Sequence, residues 1–68
     1  MLIDDRIKNA FQYSKKLIVV NPSEGQIKNV IFRLRQLFLE EELKQMDEKN
    51  FNWQVERVWP IAKYIDRN

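Results

Sequence analysis

Histidine and cysteine are absent from this chain of 68 residues, and so is threonine. Their absence excludes zinc-finger ligand sets, thiol redox centres, disulfide bonds and nucleophiles activated by an imidazole base. The serines are Ser14 and Ser23, and neither has an identifiable general base. The sequence therefore predicts that the protein is not an enzyme and that it uses no cofactor or metal ion.

Turn-forming residues are scarce, because the chain has one glycine, Gly25, and two prolines, Pro22 and Pro60. An all-β fold needs a turn signal roughly every 8–12 residues, so this composition predicts an all-α fold. Hydrophobic residues make up 44% and aromatic residues 12% of the chain, which is typical of a folded domain rather than a disordered tail. A chain of this length has room for a single domain, 1–68, that buries only about 60% of its unfolded surface.

Charge is unevenly distributed along the chain, although the formal net charge is only +2. Residues 1–39 include seven basic and three acidic residues, a net charge of +4. Residues 40–68 include five basic and seven acidic residues, a net charge of −2. This pattern predicts either two solvated helix surfaces or a dipolar subunit whose basic end meets an acidic partner.

Long hydrophobic runs are also missing, since the longest is the four-residue stretch Leu17–Val20. A membrane-spanning helix needs about 20 predominantly apolar residues. The acidic residues Asp4 and Asp5 stand where a signal peptide would have a basic region. We therefore expect a cytoplasmic protein without membrane association.

Apolar residues at spacings of three and four predict a first helix from about Ile3 to Ile18. The stretch Leu17–Val20 is also compatible with a short strand, but such a strand would need a pairing strand from a second subunit. The apolar face of the helix consists of Ile3, Ile7, Ala10, Phe11, Leu17 and Ile18.

A clear start signal for a second helix follows. Asn21 can cap a helix, Pro22 is favoured at the first helical position, and Glu24 at the third position completes an arrangement like a capping box. No further breaker occurs until about Asn50. These features predict a central helix of about 28 residues, roughly 42 Å long.

The predicted central helix has two apolar faces on nearly opposite sides. A helix of this kind must bury both faces. One face can pack on the first helix, and we expect a homodimer to bury the other, because a short chain has little else to cover it. The first face consists of Ile27, Val30, Ile31, Leu34, Leu37 and Phe38, and the second, the predicted dimer interface, of Phe32, Leu39, Leu43 and Met46.

The last helical segment is expected to begin near Asn50 or Asn52, either of which can act as a cap. Pro60 removes a backbone donor, so we expect a kink there or two short helices. The core face, which we expect Trp59 to adjoin, follows a spacing of four and three residues: Phe51, Val55, Val58, Ala62 and Ile65.

The opposite side of this segment carries Trp53, Arg57, Ile61 and Tyr64. Tryptophan, tyrosine and arginine are the residue types enriched at the energetic centres of protein interfaces. We therefore interpret these four residues as a partner-binding surface. In the alternative, a bend at Pro60 places the rings in the core.

Two further sets of charged side chains are candidate sites. The consecutive carboxylates Glu40, Glu41 and Glu42 point about 100° apart on a helix, so they predict a solvated face rather than a metal site. A set of basic residues in the first half offers an alternative contact surface for nucleic acid. These residues are Lys15, Lys16, Lys28, Arg33 and Arg35.

Taken together, these patterns predict an all-α bundle of three helices with a long central helix, completed by dimerisation. The function we expect is a small non-enzymatic protein-interaction module that adapts or inhibits a larger protein. The alternative is a DNA- or RNA-associated regulator that uses the basic N-terminal half.

Overall fold

Four α-helices form the fold in the computed structural model, which describes residues 2–14 and 22–64. The expected all-α class is confirmed, and the described residues contain no strand. None of the described helices is long and apolar enough to cross a membrane. The strand considered at Leu17–Val20 lies outside the described residues. The helices are α1 (Ile3–Tyr13), α2 (Glu24–Leu37), α3 (Glu40–Gln45) and α4 (Glu48–Ala62).

The core forms where α1, α2 and α4 contact one another. Most of the residues assigned to apolar faces from the sequence are buried in this core, which confirms the assignment for those positions. Among the described residues, the exceptions are the partly buried Ile3, Phe38 and Met46 and the exposed Phe32, Leu37 and Leu39. Leu17, Ile18 and Ile65 lie outside the described residues. The buried apolar residues are Ile7, Ala10, Phe11, Ile27, Val30, Ile31, Leu34, Leu43, Phe51, Val55, Val58, Trp59 and Ala62.

Helix α1 begins where predicted and ends earlier. Its C-cap residue, Ser14, has extended backbone angles, and its hydroxyl donates a hydrogen bond to the Glu56 carboxylate on α4. The prediction that Ser14 continues the helix is therefore wrong. The predicted last turn, 15–18, lies outside the described residues.

Helix α2 begins two residues later than the sequence signal suggested. Ser23 is the N-cap, and its Oγ accepts a hydrogen bond from the Gln26 N–H at 3.1 Å. The Gln26 Oε1 in turn accepts from the Ser23 N–H at 2.8 Å, which completes a capping box. The prediction that Asn21 caps and Pro22 opens the helix is wrong, because a serine three residues before a glutamine offers the reciprocal pair.

The prediction of one long central helix is also wrong, because the chain leaves helical geometry twice within the predicted range. Phe38 and Leu39 are extended between α2 and α3, and Met46 and Asp47 are extended between α3 and α4. Each new start has a side-chain acceptor: Glu42 Oε1 accepts from the Leu39 N–H at 2.9 Å, and Asp47 Oδ1 accepts from the Asn50 N–H at 2.7 Å. These bonds satisfy backbone donors that a helix start leaves unpaired.

Because of the two breaks, a single chain buries residues from both of the predicted apolar faces. In a continuous helix, Leu43 and Met46 would point away from Leu34. With α3 set off from α2 by the break, Leu43 is 2% exposed in the same core as Leu34, and Met46 packs against that core. Burying a leucine side chain stabilises the fold by about 1.5–3 kcal/mol, and the caps at Leu39 and Asp47 replace part of the helical hydrogen bonding lost at the breaks.

Arg6 on α1 holds the second break in place. Its guanidinium donates to the Leu43 carbonyl at 2.9 Å and to the Met46 carbonyl at 2.7 Å. The same group lies over the Phe51 ring, 4.1 Å from the centroid. The carbonyls at the end of a helix lack partners within that helix, so Arg6 supplies donors that a short helix cannot provide.

Helix α4 runs without interruption from Glu48 to Ala62 and includes Pro60. The alternative of two short helices is therefore wrong. The proline lies two residues before the helix end, where the loss of one backbone donor affects only the last turn. The predicted cap at Asn50 or Asn52 is also wrong, since Asp47 caps the helix.

We predict that Arg6→Met lowers the free energy of unfolding by about 2–3 kcal/mol, because two carbonyls lose a charged donor. Arg35→Met is the matched control. Its guanidinium forms an exposed ion pair with Glu40 at 2.8 Å, and exposed pairs contribute about 1 kcal/mol or less. Urea denaturation followed by circular dichroism measures both variants. Equal losses for the two arginines would contradict the role assigned to Arg6.

Candidate partner-binding surface

The outer face of α4 presents large side chains to solvent while the inner face of the same helix forms the core. Trp53 is 50% exposed and Tyr64, two residues beyond the helix end, is 78% exposed. Ile61 and Arg57 are exposed as well. All four predicted partner-binding residues are thus exposed, and Arg57 contacts Trp53. The alternative that Pro60 places these rings in the core is wrong.

Trp59 shows the contrast with Trp53 within one helix. Its ring is 8% exposed and meets the Phe11 ring edge to face, with centroids 4.9 Å apart and an interplanar angle of 88°. The expectation that Trp59 adjoins the core face is confirmed. Six residues separate the two tryptophans, which is about 600° of helix rotation, so they project from different sides.

A cationic side chain lies over each of the two exposed aromatic rings of this surface. The Arg57 guanidinium lies over the Trp53 ring at 5.1 Å from the centroid, and the Lys63 ammonium lies over the Tyr64 ring at 5.0 Å. Each such contact contributes about 0.5–1 kcal/mol at an exposed site. The contacts therefore favour defined positions for two long, flexible cationic side chains.

A shallow groove lies beside Trp53 at the N-terminal end of α4. Its volume is about 280 Å³, and it is lined by Asp47, Lys49, Asn50 and Trp53. We did not assign Lys49 or Lys63 to this surface from the sequence. Lys49 lies four residues before Trp53, so the helical spacing that defined the surface could have included it. No local pattern signalled Lys63, because its contact with Tyr64 depends on the chain beyond the helix end.

The predicted dimer interface is divided between the core and the surface. Leu43 is buried and Met46 is half-buried, so they belong to the fold of a single chain. Phe32 on α2 and Leu39 before α3 are exposed. The assignment of Leu43 to a second subunit is wrong, because the helix breaks turn it inward.

Of the basic residues proposed for nucleic acid, Lys28 and Arg35 lie seven residues apart on the same side of α2, whereas Arg33 lies on a different side. Lys15 and Lys16 lie outside the described residues. Arg33 and Arg35 are two residues apart on α2 and so project about 200° apart. Arg35 is paired with Glu40, which reduces the positive charge it offers to a phosphate.

A larger cleft of about 630 Å³ lies where α1 meets α3. Its charged lining residues include Arg6, Arg35, Glu40 and Lys44. Both arginines are engaged within the chain, Arg6 with backbone carbonyls and Arg35 with Glu40. The charges of this cleft therefore serve mainly to connect the helices.

The acidic run at the start of α3 is solvated, as expected. Glu40, Glu41 and Glu42 are all exposed. Glu40 forms an ion pair with Arg35, and Glu42 accepts a hydrogen bond from the Leu39 N–H. Among residues 2–14 and 22–64, no group of three or more carboxylates is placed to hold a metal ion.

No protein-family model, no curated protein and no solved structure matches this chain.

We predict that Trp59→Ala lowers the free energy of unfolding by about 3–5 kcal/mol, because it removes a buried ring and its contact with Phe11. Trp53→Ala, the matched control on the outer face, should cost about 1 kcal/mol or less. For a domain of this size each kcal/mol shifts the melting temperature by about 4–8 °C. Thermal melts by circular dichroism compare the two, and a larger drop for Trp53→Ala would reverse the assignment of the faces.

Proposed function

We propose that this chain is a small non-enzymatic protein-interaction module that docks a partner protein on the outer face of α4. The surface is defined by Trp53, Arg57, Ile61 and Tyr64. The cytoplasmic location expected from the sequence is part of the same proposal. The observation that carries it is the exposure of these large side chains on a helix whose opposite face is fully occupied by the core.

The exposed side chains are not needed to complete the fold. The buried face of α4 contributes Phe51, Val55 and Val58 to the core without help from the outer face. A half-exposed tryptophan leaves apolar area in contact with water, so covering it on binding is favourable. Tryptophan and arginine are also the residues that most often dominate the energy of a protein interface.

The axial spacing suits a partner of modest size. Eight residues separate Trp53 from Ile61, which is about 12 Å along a helix. With Tyr64 beyond the helix end, the surface spans about three turns. A single helix or extended segment of a partner could contact this length.

Capture experiments test this function. We expect the tagged wild-type chain to retain a stoichiometric protein from native lysate and Trp53→Ala to lose it while keeping its circular dichroism spectrum. Truncating a residue at the centre of an interface typically weakens binding by 2 kcal/mol or more, about 30-fold. Lys8→Gln is the matched control, since this exposed cation lies on α1.

Nuclease treatment of the same lysate separates the protein function from the nucleic-acid alternative. A partner protein bound directly to the surface should survive the treatment. Loss of all captured material after nuclease, with recovery of DNA or RNA before it, would favour the alternative regulator. Binding through phosphates would also weaken steeply with salt, by a log–log slope of about −0.9 per duplex contact.

Self-association is a second part of the proposal and uses a different surface. Leu39 is 73% exposed, and Phe32 and Leu37 are also exposed near the end of α2. These apolar side chains support a homodimer in which the junction of α2 and α3 meets its counterpart on a second copy. Such an interface would leave the outer face of α4 open for the partner.

We predict that Leu39→Glu converts a dimer at micromolar concentration into a folded monomer, because it places a charge in the proposed contact. Leu43→Glu should instead unfold the chain, since it places a carboxylate in the core. Sedimentation equilibrium with circular dichroism distinguishes these results. A wild-type species of 8.3 kDa with a cooperative melt would overturn the dimer.

A further inference from the structure

We infer that the partner segment recognised by the outer face of α4 is an acidic stretch of polypeptide with an apolar anchor side chain. This inference rests on the proposed docking function and specifies its chemistry. It commits to a polypeptide that bears carboxylates, rather than to nucleic acid or a second copy of this chain.

The charge of the surface is the first argument. Three exposed cations follow the outer side of α4: Lys49, Arg57 and Lys63. The same stretch also carries Asp47, Glu48 and Glu56, which keep their negative charge although Asp47 accepts from the Asn50 N–H and Glu56 accepts from the Ser14 hydroxyl. The positive charge is therefore local to the two exposed rings, over which Arg57 and Lys63 lie. A partner carboxylate that reaches either ring is complementary to the cation there.

The cation–ring contacts bear on whether single-stranded nucleic acid fits this surface. An arginine that stacks on a ring keeps its N–H groups in its own plane, where they can donate to two oxygens of a carboxylate or of a phosphate, so this geometry alone does not select the anion. Proteins bind single-stranded nucleic acid largely by stacking its bases on aromatic rings. Here the Arg57 and Lys63 groups already lie over the Trp53 and Tyr64 rings, so a base would first have to displace a cation.

The groove beside Trp53 supplies the place for the apolar anchor. Its volume of about 280 Å³ lies just below the usual range of small-molecule pockets, about 300–1,000 Å³. It is therefore suited to a single side chain that packs against the indole. Six residues separate Arg57 from Lys63, about 9 Å along the helix axis, so their positions are more than one helical turn apart and the segment meets them at two separate points.

A displayed library of random 16-residue peptides tests the inference with the full chain as bait. We expect wild-type protein to enrich peptides that carry a clear excess of Asp and Glu together with a leucine or aromatic residue. An individual enriched peptide, measured by fluorescence anisotropy, should bind the Arg57→Gln/Lys63→Gln variant at least tenfold more weakly. Raising the salt concentration should weaken wild-type binding as well.

The matched control is Lys8→Gln/Lys44→Gln, which removes two exposed cations from α1 and α3. It changes the net charge by the same amount, so general electrostatic attraction would weaken both double variants equally. We expect the control to bind within about twofold of wild type. An equal loss in both variants would overturn the inference.

Two further outcomes are distinguished by the same selection. Enriched peptides without acidic excess, bound equally by the Arg57→Gln/Lys63→Gln variant, would overturn the acidic chemistry and leave the docking function standing. No enrichment by wild type beyond that of Trp53→Ala would overturn both. Micromolar binding of an oligothymidylate that depends on Trp53 would identify the surface as a nucleic-acid platform and would also overturn the inference.

Discussion

The pair of hydrogen bonds from Arg6 to the carbonyls of Leu43 and Met46 connects the first helix of this protein to the end of its shortest one. A helix of six residues is too short to be stable alone. The arginine supplies donors for its unpaired carbonyls and also covers the Phe51 ring at the start of α4. The position of α4, and therefore of its outer face, depends on this junction.

The breaks around α3 also change how the chain buries its apolar side chains. A continuous helix would leave Leu43 on the side away from the core and would require a second subunit to bury it. The folded chain buries Leu43 by bending instead. The proposed dimer then rests on the exposed side chains of Phe32, Leu37 and Leu39, and the proposed docking surface on α4 uses other residues. One helix can serve folding on its inner face and the proposed recognition on its outer face, because its buried and its exposed side chains belong to different residues.

Periodicity predicted the helical faces better than it predicted the helix ends. The core side of α4 and the exposure of Trp53 follow from spacings of three and four residues, because a helix repeats every 3.6 residues wherever it begins. The ends depend on which side chain reaches a free backbone donor. Ser23 and Asp47 act as caps where Asn21 and Asn50 were equally plausible from the sequence.

The residues of this chain by themselves determine an all-α fold, a core drawn from three amphipathic faces, and an aromatic and basic stripe on the last helix. These properties are local, since each depends on residue type and spacing within one segment. Tertiary structure alone decided that Leu43 belongs to the core and that Arg6 caps α3 from 37 residues away. Contacts between distant segments form only when the free energy gained by burying the whole core exceeds the local preference for helix. That comparison involves residues from every segment, so no short stretch of sequence can predict it.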